Sequence, residues 1–152
     1  MLQSGQSAPE FVLADQDGEA LSLASLRGKR VVLFFYPKAD TPGCTTEACS
    51  FRDEYALFGD VNTVVLGISP NTSRQQKKFA EKFGFPYRLL ADADHAVAEA
   101  YGIWVEKSMY GKKYMGVDRT TFVIAADGSI EYIFRKVKVE NHAGEVLEYL
   151  RK

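Results

Sequence analysis

Two kinds of segment alternate along the chain: short runs that are apolar throughout and longer stretches that are apolar at helical spacing. Val31 to Tyr36 and Val61 to Ile68 are apolar on both faces, which predicts two strands in the middle of a sheet. Helices are predicted between and after them, from Gly43 to about Phe58 and from about Ser73 to Phe83. Because helices connect the successive strands, we expect the central strands to be parallel.

Shorter elements complete the pattern. Asp17-Gly18 predicts the turn of an N-terminal β-hairpin, and a strand (87–90) and a helix (95–101) follow the second long helix. A late hairpin (120–134) and a helix that begins after Asn141 end the chain. This order fits a three-layer α/β/α sandwich of thioredoxin type with a mixed sheet. No repeat or linker interrupts it, so residues 1–152 are expected to form one domain.

Composition and charge narrow the possible functions. Hydrophobic residues make up 46% and charged residues 26% of the chain, as in globular proteins. The 19 basic and 20 acidic residues nearly balance, so no broad surface for nucleic acid is expected. No apolar run approaches the roughly 20 residues of a membrane span. Met1 to Glu10 shows no secretory signal, so we expect a cytoplasmic location without membrane partners.

The chain has only two cysteines, Cys44 and Cys49, which are too few for a disulfide scaffold. Together with His95 and His142 they lack the spacing of a zinc site, so no metal is expected. Nothing in the sequence marks a flavin or haem site, so no cofactor is expected either. Both histidines are interpreted as capping or surface residues at helix starts. A close cysteine pair is therefore either inert or redox-active.

The position of Cys44 favours redox chemistry. It falls in the first turn of a helix that follows a central strand, which is the usual ligand location in open α/β sheets. Unpaired backbone N–H groups and the helix dipole favour a thiolate there.

A longer motif surrounds this cysteine. Pro37-x-x-x-Thr41-x-x-Cys44 resembles the active-site motif of the peroxiredoxins. The run from Glu47 to Arg52, which contains Cys49, resembles the peroxiredoxin Q or bacterioferritin-comigratory protein subgroup. The stretches Ala8–Phe11 and 118–122 extend the likeness over nearly the whole chain.

The resemblance implies a thiol-dependent peroxidase of hydrogen peroxide and organic hydroperoxides, with a role in antioxidant defence. Cys44 would attack a peroxide oxygen and become a sulfenic acid, and Cys49 would resolve it as an intramolecular disulfide. Thr41 would direct its hydroxyl at the thiolate and the peroxide, in addition to capping the helix. Pro37 would end the strand and exclude water from the site.

Two further residues and a partner follow from the same resemblance. Arg119 would donate to the thiolate and to the peroxide oxygens as the O–O bond breaks. Glu47 would orient that arginine, although an ordinary exposed helix glutamate is the alternative. The expected reductant is thioredoxin or a similar dithiol. No C-terminal cysteine is present to reach a second subunit, so we expect a monomer.

Two other functions remain open from the residues themselves. A thiol–disulfide oxidoreductase could have the same fold, but it would usually carry Cys-x-x-Cys, whereas four residues separate the cysteines here. A non-enzymatic scaffold would have a Cys44 that reacts no faster than a free thiol. Peroxide consumption with excess dithiol separates these possibilities.

Overall fold

A seven-stranded mixed sheet is the middle layer of the computed structural model, which describes all residues from 1 to 152. The strands of the chain are β1 (Val12–Ala14), β2 (Ala20–Ser22), β3 (Arg30–Phe35), β4 (Thr63–Ser69), β5 (Arg88–Ala91), β6 (Trp104–Met109), β7 (Lys112–Val117), β8 (Thr120–Ile124) and β9 (Ile130–Phe134). The helices are α1 (Pro42–Asp53), α2 (Tyr55–Asp60), α3 (Ser73–Phe83), α4 (Ala96–Ala100) and α5 (His142–Leu150), with a short 3-10 helix at Leu23–Leu26. None of these helices has both the length and the apolar character that a membrane crossing requires.

The sheet has the predicted mixture of strand directions. Its order is β2-β1-β5-β4-β3-β8-β9, and β6 pairs with β7 as a separate two-stranded hairpin. Strand β4 lies parallel to both β3 and β5, whereas β8 is antiparallel to β3 and to β9. The parallel centre, the N-terminal hairpin and the late hairpin are therefore confirmed.

Each face of the sheet carries its own hydrophobic core. Along β3, the side chains of Val31, Leu33 and Phe35 enter one core, and those of Val32 and Phe34 enter the other. Helices α1, α2, α3 and α5 contribute to the second core, whereas α4 and the N-terminal segment contribute to the first. A strand covered on both faces must be apolar throughout. The predicted three-layer arrangement is confirmed.

The first helix differs from its prediction. A single helix was expected from Gly43 to about Phe58, but the structure interrupts it at Glu54, which ends α1 and precedes α2. Phe51, Tyr55 and Phe58 keep helical spacing across the interruption, so the apolar pattern could not reveal it.

The β6–β7 hairpin was not predicted. Most of its side chains are exposed or half-buried, so its two strands lack the apolar alternation that indicates a buried face. The turn at Tyr110-Gly111 has positive φ at both residues, 53° and 78°, as tight hairpin turns require.

The interpretation of His142 as a capping or surface residue is wrong. Its ring is buried, with Nε2 at 2.8 Å from Thr121 Oγ1 and Nδ1 at 3.0 Å from a Glu145 oxygen. Burial is the main reason why its pKa is lowered. His95, by contrast, stands at the start of α4 and stacks on Trp104 with ring centroids 4.0 Å apart.

Candidate active site

Strand β3 and the loop that follows it place Cys44 at the end of the sheet. Thr41 precedes α1 with extended backbone angles, and Pro42 occupies the first helical position, where its missing N–H costs nothing. Cys44 is therefore in the first helical turn, and it is only 1% exposed. Its thiol is free.

Arg119 reaches this thiol because of the register between β3 and β8. The antiparallel pairing places Thr120 opposite Phe35, so the residue just before β8 lies at the carboxyl end of β3. There Arg119 Nη2 donates a hydrogen bond to Cys44 Sγ at 3.3 Å. The structure thus joins two candidate residues that are 75 positions apart in the chain.

Glu47 lies one helical turn after Cys44, and its Oε1 accepts a hydrogen bond from Arg119 Nη1 at 2.6 Å. The side chain is fully buried, which rules out the alternative of an exposed helix glutamate. Its second oxygen, Oε2, has no hydrogen-bond partner. Burial raises the pKa of the Glu47 carboxyl to about 7, although Arg119 opposes that rise. Arg119 thus bridges a buried carboxyl group and the thiol.

Thr41 and Pro37 lie in the loop between β3 and α1, and neither side chain has a hydrogen bond to the thiol. The Thr41 hydroxyl donates to the backbone carbonyl of Lys38 at 2.8 Å and does not cap the helix, so the capping role expected of this side chain is wrong. Pro37 is half-buried and begins the loop immediately after the buried Tyr36.

Cys49 is half-buried on the same helix and is also a free thiol. Burial is the main cause of its raised pKa. Positions five apart on an α-helix differ by roughly 140° in direction, so Cys49 projects from a different face than Cys44. The structure does not bring the two thiols together.

Sequence reasoning missed two neighbours of the Arg119–Cys44 pair. A Cβ atom at Gly43 would lie 3.4 Å from Arg119 Nη2, so this position of α1 lies directly beside the guanidinium. Lys107, on β6, is near enough that the charges of Cys44 and Arg119 affect it, and burial is the main reason why its pKa is lowered. Gly43 lies within the recognised motif, whereas nothing in the sequence connects Lys107 with the site.

Comparison with known proteins gives relatives over the whole chain. Residues 4–133 match the model of the AhpC/TSA family. Peroxiredoxin Bcp of Escherichia coli is 46% identical over 151 residues, covering 99% of this chain and 97% of that protein. Peroxiredoxin Bcp of Bacillus subtilis is 44% identical over 150 residues, with 99% and 96% covered.

Solved structures of similar proteins also match nearly the whole chain. The bacterioferritin comigratory protein of Xanthomonas campestris, which has alkyl peroxide reduction activity, superposes with a TM-score of 0.92 at 33% identity. The alignment covers 98% of each chain. Peroxidoxin BcpB of Mycobacterium tuberculosis has a TM-score of 0.88 at 41% identity, covering 99% of this chain and 97% of that one.

Proposed function

Since the chain belongs to the AhpC/TSA family and is a peroxiredoxin with a thioredoxin-type fold, and hence a thiol-dependent peroxidase, we propose that Cys44 is its peroxidatic residue. One observation carries this assignment: the 3.3 Å hydrogen bond from Arg119 Nη2 to Cys44 Sγ, made in the first turn of α1. A cation and a helix N-terminus both favour the thiolate, which is the nucleophilic form.

In the first step the Cys44 thiolate attacks one oxygen of the hydroperoxide and the O–O bond breaks. The sulfur gains that oxygen as a sulfenic acid, and the other oxygen leaves as hydroxide or alkoxide. This leaving group takes up the proton that the thiol released on ionising and becomes water or an alcohol. Negative charge moves from sulfur to the leaving oxygen, so the planar donors of Arg119 stabilise the transition state. Glu47 holds the guanidinium through Nη1, which leaves Nη2 directed at the reacting sulfur.

Thr41 and Pro37 complete this site in the proposal. The Thr41 hydroxyl turns from the Lys38 carbonyl to the bound peroxide, a rotation about one side-chain bond. Pro37 restricts access of water to the thiolate from the loop side.

In the second step the Cys49 thiolate attacks the sulfenic sulfur of Cys44. An intramolecular disulfide forms, and hydroxide leaves and takes up the proton that Cys49 released, which gives water. A thioredoxin-type dithiol then reduces this disulfide to two thiols and is itself oxidised to a disulfide. We take hydrogen peroxide and organic hydroperoxides as substrates, supported by the alkyl peroxide reduction of the Xanthomonas relative. The proposal also includes a monomer in the cytoplasm with neither nucleic acid nor membrane as a partner.

Peroxide consumption in the presence of excess dithiothreitol tests the role of Cys44. The Cys44→Ser protein should lose thiol-dependent peroxide reduction, because a serine hydroxyl is scarcely ionised near neutral pH and is a poor nucleophile. The Cys49→Ser protein is the matched control, since it retains the attacking thiol and should still consume its first equivalent of peroxide. Wild-type consumption by Cys44→Ser would contradict the assignment.

A further inference from the structure

The loop between β3 and α1 is held at two points by side chains that lie outside the active site. The Tyr36 hydroxyl donates to Gln76 Oε1 at 2.6 Å, at the beginning of the loop. Three residues later, the backbone N–H of Ala39 donates to Asn71 Oδ1 at 3.0 Å. Pro37 lies between these two points, and Thr41 follows the second.

The two anchors belong to one buried network at the junction of β4 and α3. Gln76 Nε2 donates to Ser69 Oγ at 2.9 Å and to the carbonyl of Leu90 at 2.8 Å. Ser69 Oγ in turn donates to Asn71 Oδ1 at 2.7 Å. Gln76, Ser69 and Asn71 are all buried. A buried network in which each member has partners holds its groups in one geometry.

Within this network, Asn71 accepts the hydrogen bond from the backbone of the loop. The N–H of Ala39 lies in an irregular loop, where no neighbouring strand supplies an acceptor, and Asn71 Oδ1 supplies it instead. Its amide nitrogen also donates to Gln75 Oε1 at 3.2 Å, so the side chain is held from both ends. An apolar residue at position 71 would leave the Ala39 N–H without this partner.

A third contact to the same loop is of a different kind. Lys82 Nζ lies 2.9 Å from a carboxylate oxygen of Asp40, and both side chains are largely exposed. Exposed ion pairs contribute little to rigidity because solvent and salt screen them. Of the two contacts made by Ala39 and Asp40, the buried one from Asn71 is therefore the one that fixes this part of the loop.

We propose that Asn71 is a positioning residue for the oxidation of Cys44. By holding Ala39, it fixes the loop so that Pro37 and Thr41 border the thiolate when peroxide arrives. Displacements on the order of 1 Å at a reacting site cost up to about a hundredfold in rate. The inference rests on the proposed role of Cys44.

The two half-reactions should respond differently to loss of this contact. Attack on peroxide requires the loop to be ordered around the thiolate. Attack of Cys49 on the sulfenic acid requires the beginning of α1 to leave its folded position, so the contact does not assist that step. A residue that only stabilised the fold would not separate the two rates.

Rapid mixing with hydrogen peroxide, acid quenching and mass spectrometry can follow sulfenic acid and disulfide separately. The Asn71→Ala protein should oxidise Cys44 about ten- to hundredfold more slowly, with disulfide formation as fast as in the wild type or faster. Ser22→Ala is the matched control: it removes a hydroxyl that caps the short 3-10 helix at Leu23–Leu26, which costs some stability, and it contacts neither Asn71 nor Ala39. Its oxidation rate should stay within about twofold of the wild type.

Three results would overturn the inference: wild-type oxidation kinetics in Asn71→Ala, an equal slowing of both steps in that variant, or an equal slowing of oxidation in Ser22→Ala. If Asn71→Ala does not fold, Asn71→Ser should show the same slower oxidation of Cys44. The serine hydroxyl is too short to replace the amide oxygen at Ala39, but it keeps a polar group beside Ser69. A Cys44→Ser protein measured in parallel keeps the two proposals apart. Peroxide reduction by that protein would refute the role of Cys44, whereas its inactivity together with a normal Asn71→Ala would refute the inference alone.

Discussion

Arg119 bridges two acidic groups on one face of α1, and the energetics of the site depend on how these groups share its charge. The thiol and the Glu47 carboxyl each accept a hydrogen bond from one nitrogen of the guanidinium. The carboxyl is fully buried, and its Oε2 has no partner. Burying a carboxylate that is only partly compensated favours its protonated form. The pKa of about 7 follows from this balance.

Replacement of Glu47 by glutamine should therefore change how stability depends on pH. The pKa of Glu47 rises from 4.5 in the unfolded chain to about 7 on folding, so the folded protein holds the proton more tightly. The resulting stabilisation is complete below pH 4.5 and is lost as the pH rises through about 7. Over that interval the wild type should lose about 3 kcal/mol relative to Glu47→Gln.

Urea unfolding of the reduced proteins at a series of pH values measures this difference. Glu81→Gln, which replaces an exposed glutamate of α3, is the control and should keep the wild-type profile. A Glu47→Gln protein with the same pH profile as the wild type would show that the buried carboxyl does not titrate in this range.

At the residue scale, the motif identified the reacting groups but not their environments. Cys44, Arg119 and Glu47 were each named from the sequence, because their types and spacing match a known pattern. The complete burial of Glu47 was not predictable, since it depends on distant parts of the chain, such as Arg119 and α5, lying against α1. His142 shows the same difficulty: its position at a helix start indicated a surface residue, but Phe51 and Phe134 enclose its ring.

At the scale of elements, α1 must change conformation during the reaction. Residues five apart on an ideal α-helix have Cα atoms roughly 8.6 Å apart. Disulfides rarely join Cα atoms more than about 7 Å apart. Cys44 and Cys49 therefore cannot be bonded while both remain helical, and the helix must unwind from about Thr41 to Ser50.

Contacts on either side limit how far this unwinding spreads. On the N-terminal side the loop is tied to Asn71 at Ala39. On the C-terminal side Arg52 Nη1 donates to the carbonyl of Phe83 at 2.8 Å, and the helix already ends one residue beyond Arg52. Between these limits, oxidation must break the hydrogen bond from the Tyr87 hydroxyl to the Ala48 carbonyl.

Amide hydrogen exchange of the reduced and the oxidised protein should reveal the unwound segment. Residues from Cys44 to Phe51 should lose protection on oxidation, because their helical hydrogen bonds open, whereas α3 should keep its protection. Cys49→Ser treated with the same peroxide is the control, since it cannot form the disulfide and should stay protected. Unchanged protection from Cys44 to Phe51, with the disulfide confirmed by mass, would contradict the unwinding.

Elements whose sequence carries strong local signals, such as capping residues, were predicted correctly. Elements whose bounds depend on contacts with the rest of the fold were not. Helix α3 has the predicted bounds, because Thr72 and Gln75 form a capping box and Gly84 takes a left-handed conformation at its end. The interruption at Glu54 has no glycine or proline to mark it. The β6–β7 hairpin lacks a buried face along most of its length, and hence the alternation that marks a strand.

At the scale of the whole molecule, the site is assembled by the order of the strands. The neighbours of β3 are β8, which begins directly after Arg119, and β4, which leads to Asn71. A central strand between these two partners brings three distant parts of the chain to one edge of the sheet. The order of elements predicted the layers, but the register that fixes these contacts is a property of the folded sheet.

The central claim is that peroxide oxidises Cys44 and that Cys49 then resolves it within the same chain. Mass spectrometry of reduced protein after one equivalent of hydrogen peroxide tests both parts. The wild type should lose two hydrogen atoms and show the Cys44 and Cys49 peptides joined. The Cys49→Ser protein should instead carry one added oxygen on the Cys44 peptide, which dimedone captures as a sulfenic acid. An unmodified Cys44 in that variant, or wild-type protein oxidised at Cys44 without a link to Cys49, would contradict the account.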